Sequence, residues 1–151
     1  MTRSGAPLIE HLERVAEEVP PEARALAYLH DALERGERAA EELRELGLSD
    51  EELTVISLLT RGQGDPYKTY VMRIARARGR SGSLARTIKR ADLEDHLHQR
   101  RSAAPAPDYG WALDQIAAAT APEPVRAARR PDGRTRRDRS GGARGPARRA
   151  A

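Results

Sequence analysis

The chain has no cysteine and no phenylalanine, and only one tryptophan and four tyrosines among its 151 residues. Without cysteine there is no disulfide, no thiol nucleophile and no thiolate zinc site. With so few aromatics, a core must be built from Leu, Ile, Val and Ala, which favours helices over sheets. No apolar run approaches the roughly 20 residues of a membrane span, and the N-terminus lacks the charged-then-apolar pattern of an export signal. A soluble, cytoplasmic protein without a membrane partner is expected. At this length one domain suffices, and a body of roughly 120 residues can bury about two-thirds of its unfolded surface. The expected class is all-α, a compact helical bundle.

The net charge of +4 is unevenly divided. Residues 123–151 hold ten Arg against Glu123, Asp132 and Asp138, a net of +7, which leaves residues 1–122 at −3. Basicity is therefore expected to be a property of the tail. Its Arg, Ala, Gly and Pro leave little to bury, so residues 123–151 are expected to be disordered and residues 1–122 to form the folded domain. Phosphate neutralisation would let the tail bind nucleic acid weakly, although no aromatic interleaves its arginines for base stacking. A solvated extension without a partner is the simpler account.

Periodicity and caps lay out the helices. Pro7 to Val19 places Leu8, Ile9, Leu12, Val15 and Ala16 on one side, with His11 beside that stripe. Pro20-Pro21 breaks the chain, and Pro21 to Arg35 forms a second helix with Leu26, Leu29 and Leu33 inward. Arg38 to Leu46 is a short helix closed by Gly47. Ser49 and Glu52 have the form of a capping box opening a helix through Leu53, Ile56, Leu59 and Arg61. Asp65-Pro66 repeats a cap-then-Pro start ahead of Tyr67, Tyr70, Val71 and Ile74. Gly79 to Gly82 reads as a flexible break, after which Ser83 caps a long helix through Ile88, Asp92 and Leu97. A Pro/Ala linker then precedes a last helix, Tyr109 to Ala119, with Trp111 in its core face. No repeat and no strand is evident.

His11, the pair His30-Asp31 and Asp92 are polar groups on apolar helices. Two imidazoles with two carboxylates suit a divalent ion such as Mn or Fe(II). Glu34, one turn after His30, is placed to handle a proton there. Lys89, Asp92 and His96 form a polar stripe at helical spacing. Spacing alone leaves a second account open, in which His11 and His30 are hydrogen-bonded histidines at the core edge and Asp92 pairs with Lys89.

Three blocks of sequence carry a resemblance. Arg3-Ser4-Gly5-Ala6-Pro7-Leu8-Ile9-Glu10-His11 with Val15-Ala16 is similar to R-S-G, P-Y-I-x-H-P and V-A of the metal-dependent HD-domain hydrolases. The likeness is to the hydrolase half of stringent-response enzymes and to small relatives that degrade guanosine tetraphosphate. Leu29-His30-Asp31-Ala32-Leu33-Glu34 resembles L-H-D-x-x-E-D, and Lys89-Arg90-Ala91-Asp92-Leu93 with His96 resembles K-L-A-D-L followed by Asn. The resemblance implies an all-helical HD domain in which His11, His30, Asp31 and Asp92 hold one Mn-type ion. Glu34 would be the catalytic carboxylate, with Arg35 beside it; Arg3, Lys89 and His96 would face the substrate. The implied reaction releases pyrophosphate from the 3′ side of a guanosine nucleotide. Arg35 stands where the family has an acid, His96 replaces Asn, Leu8 replaces Tyr and Leu12 replaces Pro. Only two residues precede Arg3, where the family has a helix, so either the true start lies upstream of Met1 or that helix is expected to be missing. These departures keep a second reading alive, a degenerate HD domain that binds a nucleotide or a metal without hydrolysing it.

Overall fold

A computed structural model describes residues 8–31, 38–99 and 106–120. Among these the chain is entirely helical: α1 (Leu8–Glu17), a 3-10 turn (Pro21–Ala23), α2 (Arg24–Leu29), α3 (Arg38–Glu45), α4 (Asp50–Leu59), α5 (Tyr67–Arg76), α6 (Gly79–His98) and α7 (Tyr109–Thr120). The expected all-α class holds. None of these helices is long and apolar enough to cross a membrane.

The 20-residue α6 is the axis of the bundle, packing against α1, α4, α5 and α7. Ile88 and Leu93 of α6 are fully buried with Val15 of α1, Val55 and Ile56 of α4, Val71 and Ile74 of α5 and Ile116 of α7. This is an aliphatic core, and burying each such side chain stabilises the fold by about 1.5–3 kcal/mol. Tyr70 and Tyr109 are the aromatic exceptions, and the Tyr70 hydroxyl donates a hydrogen bond to the Leu59 carbonyl at 2.5 Å.

Local signals set several boundaries. The Ser49 capping box forms with both of its bonds, Glu52 N to Ser49 Oγ at 3.3 Å and Ser49 N to Glu52 Oε2 at 2.8 Å. Gly47, at φ 94°, ends α3, with its own amide bonded to Arg44 O and that of Leu48 to Leu43 O. That pair of bonds satisfies two carbonyls at the helix end and needs the left-handed residue that glycine supplies.

Five expectations are corrected. The second helix, expected from Pro21 to Arg35, opens with a 3-10 turn, and α2 ends at Leu29 with His30 and Asp31 in a turn; Ala32 to Arg35 lie outside the described residues. The His30 ring takes the Ala27 carbonyl, one of the unpaired acceptors at the end of α2. Gly79 to Gly82 is no break, because α6 starts at Gly79. Gly82 is buried there with its Cα against the Ala77 carbonyl, so the glycine serves a close approach. Asp65 does not cap α5; its carboxylate accepts from Gly62 N and from Arg73 instead. Ile9 is 59% exposed, because the buried stripe of α1 runs through His11, Val15 and Ala16, and Ile9 lies two residues off it. Trp111 is only half-buried, packed against the core edge with the Lys68 ammonium 5.3 Å from its ring centroid.

Candidate metal centre

Three elements bring the polar groups together. α1 supplies His11 and, one turn on, Arg14; the turn after α2 supplies His30 and Asp31; one face of α6 supplies Lys89, Asp92, Asp95 and His96. His11, His30 and Asp92 are at most 4% exposed. Their donor atoms all lie within 4.8 Å of one another, a buried group able to hold a metal ion. His11 Nε2 is 3.3 Å and His30 Nε2 3.8 Å from Asp92 Oδ1.

The opposite ring nitrogens determine what these two histidines offer. His11 Nδ1 is 2.7 Å from Asp95 Oδ2, and His30 Nδ1 is 2.6 Å from the Ala27 carbonyl oxygen. A carboxylate and a carbonyl can only accept, so each Nδ1 carries the proton and donates it. In the neutral ring Nε2 then presents a lone pair, the arrangement that carboxylate- or carbonyl-backed histidine ligands use. Both Nε2 atoms are buried without a hydrogen-bond partner. An orphaned buried nitrogen costs about 1–3 kcal/mol, and two of them facing one carboxylate oxygen are what a cation would satisfy. The donor set fits a divalent ion of the nitrogen-and-oxygen type.

Asp92 is the hub. Its Oδ1 faces His11, His30 and, at 3.2 Å, His96 Nε2, while its Oδ2 accepts from Lys89 Nζ at 2.7 Å. Burial pushes its carboxyl pKa up, but the Lys89 charge and the three imidazoles that face it outweigh this and hold it well below the ordinary carboxylate value. Lys89 is likewise buried, yet the Asp92 charge raises its pKa, so the pair is ionised. The ammonium also lies 5.1 Å from the Tyr70 ring centroid. Burial pulls His11 and His30 down, and the carboxylates facing them, Asp92 and Asp95 for His11 and Asp92 and Asp31 for His30, reverse this; both are raised above the ordinary histidine value.

The expected site residues fall into four groups. His11, His30 and Asp92 converge. Asp31 and His96 lie at the edge of that cluster: Asp31 Oδ1 is 3.3 Å from His30 Nε2 at a half-buried position, and His96 Nε2 reaches Asp92 Oδ1. The His96 ring lies between His11 and Tyr109, at centroid distances of 4.9 and 4.8 Å. Lys89, expected to face a substrate, spends its ammonium on Asp92. Arg3, Glu34 and Arg35, and the tail from Glu123 onward, lie outside the described residues.

Two residues of the site escaped the sequence reading. Asp95 is nearly buried and joins His11 to Arg14, whose guanidinium grips both of its oxygens, Nη2 to Oδ2 at 3.1 Å and Nε to Oδ1. The available signal was the i, i+3 spacing of His11 with Arg14 and of Asp92 with Asp95. Tyr67 also borders the site, T-shaped to Tyr109; its hydroxyl is buried without a hydrogen-bond partner and burial pushes its pKa up to about 12. Compared with models of protein families and with curated sequences, the chain matches none.

Proposed function

We propose that this chain is an HD-type metal-dependent phosphohydrolase acting on a nucleotide, with guanosine tetraphosphate or a related alarmone as its leading substrate. One observation carries the metal half of the reading: the unpartnered, buried Nε2 atoms of His11 and His30 face the ionised Oδ1 of Asp92. The nucleotide half rests on the three sequence blocks around Arg3 to His11, Leu29 to Glu34 and Lys89 to His96. A divalent ion, Mn by preference with Fe(II) as the other choice, would supply Lewis-acid charge at a phosphoryl oxygen and acidify a water.

The chain's own residues have separate tasks in this scheme. His11, His30 and Asp92 hold the ion, with Asp31 as a fourth ligand once its carboxylate turns inward. Asp95 keeps His11 in the required tautomer, and Lys89 fixes the Asp92 carboxylate by one oxygen so that the other faces the histidines. Glu34 takes or orients the proton of the attacking water, Arg35 clamps a phosphate, and Arg3 and His96 meet the nucleotide.

The test is metal content of the purified protein, then pyrophosphate release from guanosine tetraphosphate with added Mn on the same sample. About one metal per chain with pyrophosphate released is the expected outcome. Metal without turnover would favour the binding-only reading, with Arg35 in the place of an acid as its cause. No metal after reconstitution would overturn the site itself.

A further inference from the structure

Residues 66–90 contain Lys68, Arg73, Arg76, Arg78, Arg80, Arg86, Lys89 and Arg90 and not one Asp or Glu. At the chain's average content a stretch of that length would hold about four acids. The −3 of residues 1–122 therefore conceals a body of two signs, +8 over this stretch and −11 over the remainder. In the fold the stretch is α5, the corner to α6 and the first half of α6. Neither helix has an acid in its first turn.

Some of these cations are already engaged. Arg73 pairs with Asp65, Lys89 with Asp92 and Arg90 with Glu94, and Arg86 donates to the Ala77 carbonyl. Lys68, Arg76, Arg78 and Arg80 are exposed and meet no carboxylate among the described residues. Lys68 and Arg76 are eight residues apart on α5, an axial span of about 12 Å. A groove of about 420 Å³ lies between them, lined by Lys68, Thr69, Met72, Arg73 and Arg76. Arg78 and Arg80 continue the positive surface round the corner, where the unpaired amides at the start of the 20-residue α6 add to it.

We propose that this α5–α6 corner is a docking surface for the phosphate backbone of a double-stranded nucleic acid. A duplex strand presents about one phosphate per 3.4 Å of axis, so three or four face a span of that length. The Thr69 hydroxyl beside the cations is a further donor to phosphate oxygens. Nothing on this surface is built for stacking on unpaired bases: Trp111 is half-buried under Lys68, and Tyr70 is in the core. A lipid surface fits less well, because the exposed large apolar residues Ile9, Tyr28, Leu46 and Leu97 all lie outside residues 66–90, leaving no anchor to insert. The surface is independent of the metal centre and of the reaction proposed for it, and it moves the nucleic-acid contact from the tail, where sequence composition pointed, to the folded body.

Three full-length proteins decide the matter by titration of a fluorescent mixed-sequence DNA duplex of about 20 base pairs at several salt concentrations. They are the natural chain, a variant with Lys68, Arg76, Arg78 and Arg80 each changed to Gln, and a variant with Arg126, Arg129, Arg130, Arg134, Arg136 and Arg137 each changed to Gln. Four phosphate contacts give a log–log salt slope of about 3 to 4, or roughly 100-fold loss of affinity between 50 and 200 mM salt. The corner variant is expected to lose that component of the slope and at least 10-fold in affinity, with its circular dichroism and melting temperature unchanged. The tail variant is expected to keep the component. Undiminished binding and slope in the corner variant, or abolished binding in the tail variant, would overturn the proposal. So would binding to vesicles of anionic phospholipid without binding to the duplex.

Discussion

Changing Asp95 to Ala tests the metal centre without touching any atom that would contact the ion. In the native chain Asp95 Oδ2 accepts the Nδ1 proton of His11 at 2.7 Å, and the Arg14 guanidinium holds the carboxylate from the other side. Removing it frees the His11 ring to carry its proton on either nitrogen and to rotate. The Nε2 tautomer then points N–H at the ion's position and must be undone before binding. Loss of such a backing group costs about 10- to 100-fold in metal affinity, equivalent to about 1.4–2.7 kcal/mol. The charge-assisted bond to His11 contributes about 1.5–3 kcal/mol to folding. The bond to Arg14 adds little, because that side chain is 30% exposed. Competition with a chromophoric chelator reads the affinity, and imidazole ¹⁵N shifts of metal-free protein read the tautomer. Expected are weaker metal binding and a His11 signal moving from the Nδ1–H pattern toward a mixture. Affinity within twofold of the natural chain, with His11 still protonated on Nδ1, would refute the reasoning.

Other expectations follow from the same geometry. Asp92→Ala should abolish metal binding and, by stranding the Lys89 ammonium in the core, destabilise the fold by about 3–5 kcal/mol; Lys89→Met in that background should recover most of the stability in denaturant melts while metal binding stays absent. Gly82→Ala places a methyl against the Ala77 carbonyl, so it should cost about 1–3 kcal/mol despite the roughly 1 kcal/mol that alanine gains in a helix; a higher melting temperature would mean that no such contact exists. His11 and His30 have pKa values raised in the fold, so their stabilisation is fully present below the unfolded value of about 6.5 and is lost as pH rises through the folded values. Chelator-treated protein should therefore lose stability as pH rises above about 6.5, whereas metal affinity, which needs neutral imidazoles, should rise in the same direction of pH. Parallel trends in the two measurements would contradict the assignment.

Much of the architecture was legible in the sequence because its causes are local. The scarcity of aromatics and the 3.6-residue periodicity specify helices, and Ser49 with Glu52 and Gly47 mark helix ends through bonds to residues three to five positions away. Three of the four ligand candidates, His11, His30 and Asp92, were likewise visible as polar groups on apolar stripes. Asp95 was not, because its role is defined by a partner 84 residues away in the chain, and a surface acid at helical spacing looks the same in either case. Nor could spacing foretell that α2 would end at Leu29, where the His30 ring takes a backbone carbonyl, or that Gly82 would join α6 by lying against Ala77. The net −3 of residues 1–122 averages the positive stretch 66–90 with an acidic remainder, a split that is legible along the chain itself. Composition, period and caps are properties of one segment, and the sequence alone determined the helices from them. Convergence of His11, His30 and Asp92, the tautomer that Asp95 imposes, and the exposed groove that Lys68 and Arg76 line depend on which segments pack together, and only the tertiary structure decided those.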